Sequence, residues 1–245
     1  MIKSKDFDGK ISIITAVYNA ENHIQDLIGS LKQQTDQNFE WVVVDGLSTD
    51  RTLDILKTID DLNIKIISEA DFGIYDALNK GIKASSGEFY LVAGADDIFF
   101  KNAIEYYKDS IEDNIGMVTA IIMKNNKKVT VKRGPSWIFN EASYISNHSI
   151  GVLIKKSLHF NFGFYSRKFP IAADQFFIMI CCRNGVKVKF LNKVVGGFGD
   201  SGVSSQDIIG TCTEKFRVQL LVEKNRWIVY LVYILKLTKK MLIRK

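Results

Sequence analysis

The chain predicts an α/β fold built on a mostly parallel sheet flanked by helices, with an antiparallel extension. Three observations carry this. Apolar strand runs alternate with helical stripes over the first hundred residues; two of those strands end in aspartates, at Asp45 and at Asp96-Asp97; and beyond Lys101 the alternation gives way to strand candidates joined by a tight Asn125-Asn126 turn.

Ile11-Ser-Ile-Ile-Thr-Ala16 reads as the first strand. Ile24, Leu27, Ile28 and Leu31 then fall at i, i+3, i+4 and i+7, the inward stripe of a helix. Trp41 to Val44 is a second strand ending at Asp45. Residues 51 to 60 form a second helix with Leu53, Leu56 and Ile59 inward and Asp50 as its cap. Ile64 to Ile67 is a third strand and Ile74 to Ala84 a third helix. Glu88 to Ala93 is then a fourth strand, buried on both faces, which leads into Gly94-Ala95-Asp96-Asp97. This βαβαβαβ array is a nucleotide-binding layout. Further on, the pattern predicts a helix near 101–110 and strands at 116–123, 127–133 and 150–155. A helix at 173–184, a strand near 186–191 and a final helical region from about 206 complete it. The stretch Gly196-Gly197-Phe-Gly199-Asp-Ser-Gly202 reads as a loop.

Composition excludes several classes. No Gly-x-Gly-x-x-Gly turn follows the first strand and no Gly-Lys-Ser/Thr loop occurs, against a dinucleotide dehydrogenase and a P-loop enzyme. The net charge is +6, but the basic residues are not interleaved with aromatics and no helix-turn-helix or zinc spacing appears, so nucleic acid is not the expected partner. Cys181, Cys182 and Cys212 lack metal spacing and are expected to be reduced packing residues. Met1 to Lys10 is charged without an apolar core. The expectation is therefore no signal peptide and a cytoplasmic location.

Much of the positive charge lies in the last segment, where Lys224, Arg226, Lys236, Lys239, Lys240, Arg244 and Lys245 surround the apolar run Trp227 to Leu235. At about 1.5 Å per residue, that run is less than half as long as a hydrocarbon core of roughly 30 Å. It fits an interfacial helix with Trp227, Tyr230 and Tyr233 on an anionic membrane surface, or else a core helix with solvated lysines.

The paired acids Asp96 and Asp97 can hold a Mg²⁺ or Mn²⁺ ion that shares its oxygen ligands with substrate phosphates; a helix cap or a solvated turn is the other reading. The order of motifs decides between them. ISIITAVYNAE (11–21), DGLSTD (45–50), DFGIYDALNKG (71–81), Ala93 to Asp97 and AADQ (172–175) resemble, in sequence order over roughly residues 9 to 205, family 2 glycosyltransferases with the GT-A fold. Bacterial enzymes of O-antigen and other surface polysaccharide synthesis are the nearest likeness.

That resemblance implies a nucleotide site at Thr15, Ala16 and Tyr18, with the Tyr18 ring on the base, or else a tyrosine half-buried at a strand end. It implies Asp45 as acceptor of a hydrogen bond from base or ribose, with a turn cap as the alternative. Leu47 stands where relatives usually carry glycine, and Gly94 where they often carry asparagine. Asp71, Gly73 and Lys80 fall on the donor side, Lys80 as a phosphate partner or a solvated lysine. Asp96 and Asp97 become the metal pair. The resemblance further implies Asp174 as the catalytic base and His148 beside the acceptor, although Ser149 follows it where glutamine is usual. Gly202-Val203-Ser204 matches a loop that closes over the pyrophosphate. Residues 1–100 would bind the donor, 101–205 the acceptor, and 206–245 form a basic amphipathic helical region. The implied reaction is inverting, metal-dependent transfer of a sugar from a nucleotide-sugar, UDP-linked by preference, to an undecaprenyl-type lipid-linked saccharide. It would take place at the inner face of the cytoplasmic membrane. A nucleotidyltransferase and a non-catalytic nucleotide-sugar binding module are the rival classes.

Overall fold

The computed structural model describes residues 9–146, 148–199 and 207–243, with the backbone alone at 208 and 239–243. The Gly202-Val203-Ser204 segment lies outside the described residues. In the first half β1 (Ile11–Val17), α1 (Ile24–Lys32), β2 (Phe39–Asp45), α2 (Thr52–Lys57), β3 (Ile64–Ser68), α3 (Ile74–Ala84) and β4 (Phe89–Val92) follow one another as predicted. The second half contains β5 (Ile98–Phe99), α4 (Ala103–Asp109), β6 (Met117–Lys124), β7 (Lys127–Val129), α5 (Ser136–Phe139), β8 (Val152–Lys155), α6 (Leu158–Phe162), α7 (Ala173–Arg183) and β9 (Val188–Gly197). Two more helices, α8 (Ile208–Val222) and α9 (Arg226–Ile243), end it.

One nine-stranded sheet runs β3-β2-β1-β4-β8-β6-β9-β5, with β7 hairpinned onto β6. The pairs β1–β2, β2–β3 and β1–β4 are parallel; β8 enters antiparallel to both β4 and β6, and β9 lies parallel to β6. Since β4 and β6 both oppose β8, they point the same way. The carboxyl ends of β1, β2, β3, β4, β6 and β9 therefore open on one edge, where α/β sheets bind ligands. Alternate residues of the strands feed two cores: Ile13 and Leu91 pack with Leu27 and Leu31 of α1, whereas Ile14 and Tyr90 pack with Leu78 and Ile82 of α3 and Phe177 of α7. Burial on both faces explains the unbroken apolar runs of β1, β2 and β4.

Several expectations need correction. The glycine-rich stretch is strand as far as Gly197, because Gly196 and Gly197 pair with Phe99 and Ile98. A Cβ on Gly196 would lie 2.4 Å from the Ile98 carbonyl oxygen, so this glycine permits close backbone approach rather than a turn. β7 stops at Val129 rather than 133, and α2 stops at Lys57 with Leu56 buried and Leu53 and Ile59 only half-buried. Arg51 rather than Asp50 takes the N-cap position of α2, and Asp50 just before it accepts the Thr52 amide at 2.9 Å. The final helical region is two helices. Tyr233 faces inward, stacked on Phe216 at 4.1 Å. Trp227, Leu231, Ile234 and Leu235 remain exposed. Among the described residues, no helix is long and apolar enough to cross a membrane.

The α7 core holds a buried histidine. His159 is stacked on Phe177 at 4.1 Å, with Nδ1 3.0 Å from the Gly163 carbonyl and Nε2 2.7 Å from the Tyr90 hydroxyl. A carbonyl only accepts, so Nδ1 carries the hydrogen and Nε2 accepts from Tyr90. Burial pushes the imidazole down to about 4. The folded state thus binds this proton more weakly than the unfolded chain, and the stability it confers is present above about pH 6.5 and lost as pH falls toward 4. Between pH 7.5 and pH 5, urea unfolding of the wild type should lose about 2 kcal/mol that His159→Phe does not lose. Equal losses in the two proteins would contradict this assignment.

Candidate active site

The loops after β1 and β2 are laced together by the residues of the DGLSTD motif. The Asn19 amide donates to Ser48 Oγ at 2.9 Å, the Thr49 amide to Asn19 Oδ1 at 2.8 Å and the Glu21 amide to Asp50 Oδ2 at 3.1 Å. Asp45 is fully buried; its carboxylate accepts the Ser48 amide at 3.2 Å and the Ser68 hydroxyl at 2.7 Å. These contacts tie it to the turn after β2. Thr15 is also fully buried, with Oγ1 accepting from the Trp41 indole at 2.9 Å, so its side chain serves the sheet. Ala16 is half-buried against α3. Leu47 has φ 63°, in the region that favours glycine, and its exposed side chain is held at a backbone cost.

Tyr18 and Asp71 are brought together across Gly46. A Cβ there would lie 2.6 Å from Asp71 Oδ2 and 3.7 Å from the Tyr18 ring, whose side chain is 64% exposed. Asp71 Oδ1 accepts the Gly73 amide at 2.8 Å, and Gly73, at φ 101°, opens α3. Lys80 is engaged by the loop around it. Its ammonium donates to the Ala70 carbonyl at 2.6 Å and pairs with Glu69 at 3.0 Å and Asp76 at 3.6 Å, which fixes the 69–76 turn. Three donors on one nitrogen explain why a lysine there is consumed by the loop around it.

After β4, Asp97 is 1% exposed and accepts the Gly94 amide at 2.7 Å. A Cβ at Gly94 would lie 3.0 Å from Asp96 Oδ1, a tight contact with the end of a side chain. Burial drives the Asp97 carboxyl up to about 8, with the charge of Asp96 adding to it. Burial likewise drives His148 down to about 4. The 3.9 Å approach of His148 Nε2 to Asp97 Oδ1 is thus a contact between neutral groups at pH 7. The imidazole stacks on Phe198 at 3.9 Å, and its buried Nδ1 has no hydrogen-bond partner. Asp96 and Asp97 fit a hard divalent cation, since they offer oxygen donors and a desolvated carboxyl short of positive charge. No cluster of three or more His, Cys, Asp or Glu side chains exists among the described residues, so the remaining positions would fall to phosphate oxygens and water.

Asp174 sits in the first turn of α7. Its Oδ1 accepts the Tyr75 hydroxyl at 2.7 Å and the Gln175 amide at 2.8 Å. Asp174 and His148 line one cavity of about 40 Å³ with Glu141, Ser149 and Tyr165. Asp96-Asp97, His148 and Asp174 thus form a continuous set. Four participants are not singled out by the sequence reading. Tyr75 orients the base from α3. Glu214 of α8 accepts the Ile171 and Ala172 amides at 2.9 and 3.0 Å, and so fixes the turn that presents Asp174. Glu141 lines the cavity and pairs with Lys215 at 2.8 Å. Tyr75 carried a signal, lying inside a recognised motif; the others come from segments with no periodic or spacing signature.

Residues 12–194 match the family model described as glycosyl transferase family 2. An uncharacterized glycosyltransferase of Rickettsia bellii is 35% identical over 108 residues, which is 44% of this chain but only 16% of that protein. A PGL/p-HBAD biosynthesis glycosyltransferase of Mycobacterium tuberculosis is 26% identical over 215 residues, 81% of this chain and 80% of the relative. Among solved structures, TarS 1–349 of S. aureus in complex with UDP-GlcNAc superposes with TM-score 0.70 at 21% identity, covering 91% of this chain and 70% of that one. The mannosyltransferase PcManGT of Pyrobaculum calidifontis, in complex with GDP-Man and Mn²⁺, gives TM-score 0.68 at 17% identity and covers 91% and 67%. The fold is that of GT-A glycosyltransferases, and the chain belongs to glycosyl transferase family 2.

Proposed function

We propose that this glycosyltransferase is inverting and metal-dependent, moving a sugar from a UDP-linked donor to a hydroxyl of an undecaprenyl-type lipid-linked saccharide in bacterial surface polysaccharide synthesis. One observation carries the reading: Tyr18, Asp71, Asp96 and Asp97 gather on a single sheet edge, and His148 joins that edge to the cavity of Asp174. The UDP-GlcNAc in TarS and the GDP-Man and Mn²⁺ in PcManGT support a nucleotide-sugar and a divalent ion on this fold.

On this reading residues 1–100 receive the donor and 101–205 the acceptor. The exposed Tyr18 ring offers its face to the base. Asp71 and the open backbone at Gly73 stand at the positive end of α3, next to the diphosphate. Asp96 and Asp97 hold Mn²⁺ or Mg²⁺, which when bound supplies Lewis-acid charge against the departing nucleoside diphosphate. Asp174 removes the acceptor's proton. The hydrogen bonds from Tyr75 and Gln175 both land on Oδ1, so Oδ2 is the oxygen that takes it. Neutral His148, stacked on Phe198, walls the gap between metal pair and base against water. One base suffices for a single inversion, whereas a hydrolase needs two carboxyl groups flanking the bond.

The 206–245 region supports a peripheral membrane location. On α9 the exposed Trp227, Leu231, Ile234 and Leu235 share one face, and no acid occurs between Lys224 and Lys245.

Asp174→Asn should lower transfer from a UDP-sugar by about 10² to 10⁴ while leaving UDP affinity unchanged. Undiminished turnover would overturn the choice of base. The double variant Leu231→Glu, Leu235→Glu should abolish co-sedimentation with phosphatidylglycerol vesicles without lowering the melting temperature; retained sedimentation would contradict the anchor.

A further inference from the structure

We infer that the partly open cavity between α8, α9 and the segment 136–143 binds a diphosphate group, and that this group belongs to the lipid-linked acceptor. The inference rests on the acceptor reading above and gives it a second anchoring point, away from the donor edge. The cavity measures about 150 Å³, and its walls include Asn140, Lys215, Gln219, Tyr233 and Lys236. That is well under the roughly 300 Å³ at which small-molecule pockets begin, so it admits a head group rather than a saccharide chain.

Its charge balance favours an anion. Lys236 donates to the Ile138 carbonyl at 2.6 Å and Lys215 to Glu141 at 2.8 Å. An ammonium has three donors, so each lysine keeps two for the cavity. Burial, together with the charges of Lys215 and Lys132, disfavours the charged form of Lys236, while Glu141 is the nearby carboxylate that opposes this. Lys215 and Lys236 thus line the cavity, and none of its described lining residues is an acid.

Asn140 is the second, independent observation. It is 9% exposed, its buried Oδ1 has no hydrogen-bond partner, and its backbone adopts φ 55° and ψ −135°, which non-glycine residues rarely occupy. A polar side chain held there in strain, unpartnered and lining a cation-rich cavity, points to a ligand rather than to packing. A hydroxyl of the sugar next to the diphosphate would supply its missing donor.

Position completes the argument. Glu141, which pairs with Lys215 at this cavity, also lines the cavity of Asp174. A diphosphate on the lysines therefore sets the attached sugar beside the base. Lys236 and the exposed Leu231, Ile234 and Leu235 belong to the same helix, so a head group held inside leaves its lipid at the membrane.

The test uses the full chain. In EDTA, inorganic diphosphate titrated calorimetrically should bind the wild type, bind Lys236→Met about tenfold more weakly, and bind Lys236→Arg nearly as well as the wild type. Phosphatidylglycerol vesicles carrying an isoprenyl diphosphate should retain the wild type better than plain ones, and Lys236→Met should not distinguish them. No heat with the wild type, or equal affinity in Lys236→Met, overturns the site. Diphosphate binding without vesicle discrimination assigns it to a free anion and overturns the acceptor reading. UDP with Mn²⁺ on the same samples reads the donor edge separately, and its absence in the wild type contradicts the proposed function instead.

Discussion

At the end of β4 the Asp97 carboxyl is sealed from water, receives one backbone N–H from Gly94, and stands next to a second acid. Removing a carboxylate from water without a counter-charge is strongly unfavourable, so such a group either keeps its proton or is matched by a cation. Its surroundings are built to the same end. The β5–β9 pairing closes one side, with Gly196 allowing the backbones to meet, and the His148 ring, itself neutral and stacked on Phe198, closes another. A site with this electrostatic deficit suits a reaction in which a diphosphate and its ion arrive together.

Asp174, the proposed base, is held by parts of the chain far from it in sequence. Tyr75 reaches it from α3, and Glu214 of α8 takes the two amides just before α7. Further along, Arg183 and the Ser136 hydroxyl both bond Glu223, tying the far end of α7 to the end of α8. The C-terminal helices therefore brace α7, which carries Asp174, as well as offering an apolar face outward. Glu214 links α8 to the turn just before Asp174, so the placement of that carboxylate depends on this packing.

Much of this glycosyltransferase was legible beforehand because its signals are local. Doubly buried strands read as unbroken apolar runs, and the motifs lie at their ends; β1 to β4, the helices between them and the Asp96-Asp97 edge follow directly. The strand through Gly196 was misread because a glycine required for close approach looks the same as a glycine required for a turn. Lys80 and Asp45 were placed by resemblance, whereas their partners, the Ala70 carbonyl and the Ser68 hydroxyl, are set by tertiary contacts. Glu141, Glu214 and Lys215 matter through pairings across 40 to 75 residues of chain that no window of sequence reveals.

The central claim is that Asp96 and Asp97 engage a donor's diphosphate through a divalent ion. Calorimetric titration of UDP, with Mn²⁺ and again in EDTA, tests it on the wild type and on Asp97→Asn. Binding heat is predicted for the wild type with Mn²⁺ alone, and none for the variant. UDP that binds as well in EDTA, or as well to Asp97→Asn, would contradict it.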